Sequence, residues 1–409
     1  MSTTPAAGTP SIGEILVEEA RARMLAASPP IRTQMISVDP AAVGRVLAEP
    51  ITAVRDQPPF DASAMDGWAI LGAAPPGLFT VAGESAAGSP FAGEVGSGEA
   101  VRIFTGAEVP AGCRVVVQEA SERVEGGVRL AFADDAPSYV RRRGGDFQAG
   151  DTLLEPGVRL DPWRLALAAA AGRAEAAVAV RPRIAVLPTG EEIVPAGRAL
   201  RPDQIFDSGG PALTALIETW GGAARRLAPA SDTEDSILAA VGDAEADLIV
   251  TIGGASVGDH DLVKPALRRL GLSLAVDTVR MRPGKPVWFG TLADGRRVLG
   301  LPGNPASALV CAELFLRPLI MAMQNADPVL RMETARLAAP LPKGGPREHW
   351  MRGALSVSAE GVLIATAFSD QESSLVSVFA RADALIRRPI AAAPAGAGET
   401  VEVLRLARL

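Results

Sequence analysis

The chain has 409 residues, enough for about two to four domains with sizeable cores. Its 40 basic and 47 acidic residues give a net charge of −7, and aromatic residues make up only 4%. Together these exclude a basic nucleic-acid footprint and a base-stacking platform. Two distant cysteines, Cys113 and Cys311, exclude a disulfide framework and a thiolate zinc site. Residues 1–10 read as a loose tail without an apolar leader run, so a cytoplasmic protein is expected. Ser11 to Ala27 predicts a helix, with Ser11 and Glu14 as its capping box. Residues 31–55 read as a strand and a short helix. From about 53 to 148, short strands alternate with Gly/Pro turns, the pattern of a β-rich inserted domain. Its run Arg141, Arg142, Arg143 reads as a solvated edge sooner than as a site. Asp161 and Pro162 open a helix that Gly172 ends.

From 183 to 325, strands and helices alternate, which predicts a three-layer α/β domain. Ser208 to Trp220 reads as a helix, and Ser231 to Val241 as another with Ser231 and Glu234 as its capping box. Leu248 to Ile252 is an unbroken apolar run, a strand buried on both faces. Asn304 should cap a long helix with Pro305 in its first turn. The apolar stretch Ala306 to Met323 contains Glu313 and Arg317 and reads as a core helix, so no membrane span is expected. From about 332 the pattern returns to short strands, a small β domain.

The chemistry gathers at the strand ends of the α/β part. After Ile252 come Gly253, Gly254, Ser256 and Gly258, then Asp259, His260 and Asp261. Glycines there admit a ligand close to the backbone, and ligands of open α/β sheets lie beyond the carboxyl ends of strands. The same loop is equally compatible with a tight turn and helix-capping aspartates. Glu191 and Glu192 follow the turn Thr189-Gly190, and Asp232 precedes a helix. Each acid alone reads as structural; convergence at one sheet edge would suit Mg2+. Met281 to Pro286 sets Arg282 and Lys285 on a proline-stiffened turn, and Leu301 to Ser307 is a second rigid turn feeding a helix N-terminus. Together they could form an oxyanion pocket; alone either is an ordinary turn.

Eight ordered blocks, FDASAMDGWA, VRIFTGAEVP, RRRGGD, PTGEE, GGASVGDHD, RPGKP, LPGNPAS and DQESS, span residues 60–374. The set resembles the molybdopterin molybdenumtransferases, the MoeA and gephyrin E-domain family, over nearly the whole chain. Ala62, Trp68, Gly145, Thr278 and Glu372 depart from the residues usual there. The resemblance implies an α/β multidomain fold. A MogA-like three-layer domain would comprise 11–32 with 180–325, and a small α+β connecting domain 33–52 with 149–179. A β-rich inserted domain would span 53–148, and a C-terminal β-barrel-like domain 332–409. It implies Mg2+-dependent insertion of molybdate into adenylylated molybdopterin with release of AMP. It also implies a homodimer with active sites between subunits, and leaves room for other cofactor-synthesis proteins as partners. By motif position it implies catalytic roles for Asp66, Thr105, Asp146, Glu192, Asp232 and Asp261, the last three holding metal. Thr189, Gly253, Gly254, Ser256, Arg282, Lys285, Pro302, Ser307, Arg352 and Ser373 would bind substrate. The alternatives are a molybdopterin adenylyltransferase, since the α/β part is MogA-like, and a gephyrin-like scaffold.

Overall fold

The computed structural model describes residues 13–133, 135–254 and 262–406. The chain divides into two compact units, one of Met1–Gln34, Gly44–Ala48 and Val178–Leu409, the other of Met35–Val43 and Glu49–Ala177.

The first unit contains a six-stranded sheet in the order Ala223–Arg226, Arg183–Pro188, Leu248–Ile252, Arg297–Leu301, Trp288–Thr291, Ser273–Val276. The first four strands are parallel, and Trp288–Thr291 alone runs antiparallel to the other five. Alternate side chains leave opposite faces, as the two-residue strand period requires. Ile184, Val186, Leu248 and Val250 pack with helices Val17–Ala26 and Gly209–Thr219. Ala185, Leu187 and Ile249 pack with helices Glu234–Gly242 and Val263–Arg268 on the other face. This is the expected three-layer arrangement. The long apolar helix runs as Pro305–Cys311, a π segment Ala312–Leu316 and Arg317–Met323, and lies in the core. Its buried Glu313 has a carboxyl pushed up by desolvation, countered by Arg317 at 3.3 Å.

After it, Met332–Leu337, Glu348–Val357, Leu363–Ala367, Ala384–Arg388 and Thr400–Arg405 close into a five-stranded barrel. Closure follows because Glu348–Val357 pairs with both Leu363–Ala367 and Ala384–Arg388. The short strand Met281–Arg282 adds parallel to Glu348–Val357, with Arg282 opposite His349. The RPGKP turn thereby starts on a strand of the barrel sheet.

The second unit carries a six-stranded sheet in the order Cys113–Val117, Gly67–Leu71, Glu99–Ile103, Gly77–Ser85, Gly127–Leu130, Ser121–Val124. Helix Pro162–Ala170 lies in it too, and the Asp161 carboxylate accepts the Arg164 N–H at 2.8 Å as the sequence predicts. Arg142 and Arg143 do form an exposed edge, paired with Asp61 and Asp56 at 2.6 and 2.5 Å.

Three caps differ from expectation. The first helix begins at Val17, because Ile15 is extended and bridges Val279; its N-cap Leu16 has no capping side chain. Ser11 and the tail 1–10 lie outside the described residues. The helix expected from Ser231 begins at Glu234, capped by Thr233, whose Oγ1 accepts the Ser236 N–H at 3.2 Å. A Thr two residues later satisfied the same orphan donor, leaving Ser231 and Asp232 in the preceding turn. Asn304 occupies the N-cap position but makes no capping bond; its amide donates to Ser373 Oγ at 3.0 Å instead.

Candidate functional site

A cleft of about 560 Å³ opens at the carboxyl ends of the parallel strands in the first unit. Glu192 and Asp232 both line it, as do Thr189, Gly253 and Gly254. Thr189 anchors one wall: it is buried, and its N–H and Oγ1 both donate to the Ile252 carbonyl, at 2.9 and 3.2 Å. Gly253 and Gly254 have φ of +96° and +59°, and a Cβ at Gly253 would lie 2.8 Å from Thr189 Oγ1. Only glycine meets both demands without strain. The acidic loop Ser256, Asp259, His260 and Asp261 lies outside the described residues, so two of three expected carboxylates are seen on one cleft. Among the described residues no three His, Cys, Asp or Glu side chains cluster as a ready metal cage.

Residues that sequence reasoning passed over complete the walls. Ile205 and Phe206, 56% and 47% exposed, present apolar surface to the cleft. Asp207 is buried at its edge, where it accepts the Gly210 N–H at 2.7 Å and pairs with Arg226 at 2.6 Å. The signal in the sequence was the run Phe206-Asp207-Ser208-Gly209, an acid and small residues at a strand-to-helix turn.

The far wall, Gly303, Asn304, Pro305 and Ser374, leads to a cationic neighbourhood. Asn304 holds Ser373 by its hydroxyl, and the Ala306 N–H donates to the Ser373 carbonyl at 3.1 Å. Next in the chain, the Glu372 carbonyl accepts from Arg352 Nη2 at 2.8 Å. Arg352 is 0% exposed, and its Nε and Nη1 have no hydrogen-bond partner among the described residues. Burial lowers its pKa; Asp370 opposes this and Arg282 adds to it. A guanidinium removed from water with two of its three nitrogens unanswered is costly, and an oxyanion is its natural complement. Pro302 and Ser307 are buried beside this helix start. Lys285 lies elsewhere: its ammonium is 3.9 Å from Glu14, and it does not line this cleft.

In the second unit, Asp66 and Thr105 form one small constellation. Asp66 Oδ1 accepts the Thr105 N–H at 2.8 Å and its hydroxyl at 2.7 Å. Those two donors, the backbone one first, and then Arg102 hold the Asp66 carboxyl below the ordinary range. Asp146 lines a separate hollow with Arg55, Phe60 and Arg141.

A glycine-lined cleft with two acids at the carboxyl edge of a parallel sheet, and a buried arginine beside it, defines the class: a multidomain α/β ligand-binding protein. Comparison with known proteins identifies the family. Three family models match in order: "MoeA N-terminal region (domain I and II)" over 15–172, "Probable molybdopterin binding domain" over 185–322, and "MoeA C-terminal region (domain IV)" over 334–406. A molybdopterin molybdenumtransferase of Haemophilus influenzae is 33% identical over 398 residues, covering 95% of this chain and 98% of that one. A molybdopterin molybdenumtransferase 2 of Mycobacterium tuberculosis is 37% identical over 361 residues, covering 84% and 87%. Two molybdopterin biosynthesis MoeA structures from Pyrococcus horikoshii superpose with TM-scores of 0.81 and 0.78 at 30% and 25% identity. Each covers 96% of this chain, with 99% and 100% of the archaeal chains covered. The chain belongs to the molybdopterin molybdenumtransferase family, transferases of molybdenum cofactor biosynthesis.

Proposed function

We propose that this chain inserts molybdenum from molybdate into adenylylated molybdopterin and releases AMP, in a Mg2+-dependent reaction in the cytoplasm. The observation that carries the reading is the juxtaposition of poles. Glu192 and Asp232 line a cleft whose opposite wall, Asn304, holds Ser373 next to the buried, half-satisfied Arg352. The donors present fit Mg2+, which takes one or two carboxylates, waters and substrate phosphate oxygens and does not require an all-protein cage. Glu192 and Asp232 would hold it, with Asp261 as a third acid; the ion would offset phosphate charge as the linkage to AMP breaks. The chain's own residues do the positioning. Gly253 and Gly254 let the nucleotide approach the protein backbone, Thr189 fixes the turn, and Ile205 and Phe206 offer apolar cover. Arg352 and Ser373 suit a dianion, since one offers unanswered N–H groups and the other a hydroxyl oriented by Asn304. Glu192 and Asp232, on the other wall, stand off from that charge.

A homodimer, with Asp66, Thr105 and Asp146 taking part in the reaction, is proposed on the family resemblance. So are the substrate roles of Arg282 and Lys285. The test is direct. Adenylylated molybdopterin, Mg2+ and the purified chain should release AMP only slowly until molybdate is added. AMP release indifferent to molybdate, or ATP-dependent adenylylation of molybdopterin by this chain, would reject the proposal.

A further inference from the structure

The chain leaves the barrel strand Leu363–Ala367 and enters the DQESS loop, where two groups beside the cleft come from consecutive residues. The Glu372 carbonyl accepts from Arg352 Nη2 at 2.8 Å, and the Ser373 hydroxyl accepts from the Asn304 amide at 3.0 Å. The residue before them is Gln371, half-buried, with both ends of its carboxamide engaged. Its Oε1 accepts the Arg352 N–H at 2.9 Å. Its Nε2 donates to the Arg352 carbonyl at 2.9 Å and to the Phe368 carbonyl at 2.8 Å.

These bonds fall where the sheet ends. In the antiparallel ladder between Glu348–Val357 and Leu363–Ala367, the last pair sets Gly353 opposite Ala367. One position on, the Phe368 N–H still donates to the Arg352 carbonyl at 3.1 Å. The return bond, from the Arg352 N–H to the Phe368 carbonyl, is replaced by the Gln371 amide set between the two. Two backbone groups that the parting strands would leave unpaired are thereby answered. The clamp then propagates along the chain. With Gln371 tied to the backbone of Arg352, the next residue presents its carbonyl to that same arginine. The guanidinium is held by Nη2, and Nε and Nη1 stay without a partner among the described residues. Ser373 follows, its carbonyl taken by the Ala306 N–H at 3.1 Å and its hydroxyl by Asn304.

We propose that Gln371 is a positioning residue for the reaction: its carboxamide sets the Arg352 guanidinium and the Ser373 hydroxyl at the spacing an oxyanion bridges. Donors ordered before the ligand arrives bind it without a further loss of loop entropy. The inference rests on the reading of Arg352 and Ser373 as the oxyanion pocket.

The test uses the full-length purified chain with Gln371→Glu, Gln371→Met and, as reference, Arg352→Met. Molybdate affinity is measured by calorimetry, alongside molybdate-dependent AMP release and urea unfolding. Near neutral pH, Gln371→Glu turns a carboxylate oxygen on the Arg352 and Phe368 carbonyls, and molybdate affinity should fall about tenfold, the worth of one charge-assisted bond. The molybdate concentration for half-maximal AMP release should rise by the same factor, while the rate at saturating molybdate holds. Once protonated, the introduced carboxyl again offers one donor and one acceptor. Gln371→Glu should therefore regain affinity relative to wild type as pH falls from about 7.5 to about 5.5, since a carboxyl facing carbonyls titrates above its ordinary range. Gln371→Met has no donor to regain and should show the same loss at both pH values. Lost affinity in Arg352→Met, with wild-type affinity in both Gln371 variants, overturns the positioning role and leaves the oxyanion pocket standing. Wild-type affinity in all three variants overturns the pocket and this inference with it. Reduced stability of the Gln371 variants with unchanged molybdate affinity makes Gln371 a structural residue and likewise overturns the proposal.

Discussion

Replacing Arg352 with methionine separates a binding role from a structural one. The arginine is 0% exposed, donates one bond to the Glu372 carbonyl at 2.8 Å, and leaves Nε and Nη1 unanswered. For folding, the variant loses one charged hydrogen bond, about 1.5–3 kcal/mol. It also relieves the burial of an unpaired charge, a penalty of several kcal/mol. Methionine retains much of the packed length, so net stability should change by no more than about 1–2 kcal/mol and can rise. For binding, removal of the buried partner of an oxyanion costs about 2–5 kcal/mol, a loss of affinity from about 30-fold to beyond a thousandfold. Molybdate titration of wild type and Arg352→Met by calorimetry, with urea unfolding of both, gives the two numbers. Weakened molybdate affinity with near-constant stability supports the oxyanion role. A large fall in stability with unchanged molybdate affinity refutes it.

The remaining expectations are simpler. Glu192→Gln and Asp232→Asn should each raise the Mg2+ concentration for half-maximal AMP release by about tenfold or more, the effect of losing one carboxylate from a sparse oxygen donor set; unchanged Mg2+ titrations would remove both from the metal role. Asn304→Asp would set a carboxylate against Ser373, and molybdate dependence of the rate should shift to higher molybdate with little change in melting temperature. Thr233→Ala should cost about 1 kcal/mol in urea unfolding as an N-cap loss, and Ser231→Ala less. His349 has its folded pKa lowered to about 3 against the ordinary value of 6.5, so the unfolded chain binds the extra proton between those values. Stability should therefore fall as pH drops from 6.5 toward 3, by up to about 1.4 kcal/mol per pH unit, and His349→Phe should flatten that slope in anion-free buffer.

Much of the α/β part was legible because burial on both sheet faces writes itself as unbroken apolar runs, as in Leu248–Ile252, and because helices there alternate with strands. Closure of the barrel was not legible from periodicity: it depends on Glu348–Val357 pairing on both edges, which only the long-range register reveals. Cap residues were misplaced where several candidates lie together. Ser231 and Thr233 both offer hydroxyls, and the choice between them follows from where the preceding turn ends. Asn304 read as a cap because it stands before a proline at a helix start, yet its amide serves Ser373, sixty-nine residues away. The acids Glu192 and Asp232 were legible as strand-end residues, and their sharing of one cleft follows from the parallel sheet. The neighbourhood of Arg282, His349 and Arg388 was invisible in sequence, since they are brought together only by strand pairing.

The most direct test of the two-pole cleft is a crystal of this chain grown with Mg2+ and soaked in molybdate and AMP, with data collected at the molybdenum edge. An anomalous peak is expected within hydrogen-bond reach of Arg352 and Ser373, with AMP density against Glu192, Asp232 and Gly253. Nucleotide bound away from those acids, or a saturating molybdate soak that leaves the Arg352 guanidinium unanswered, would contradict it.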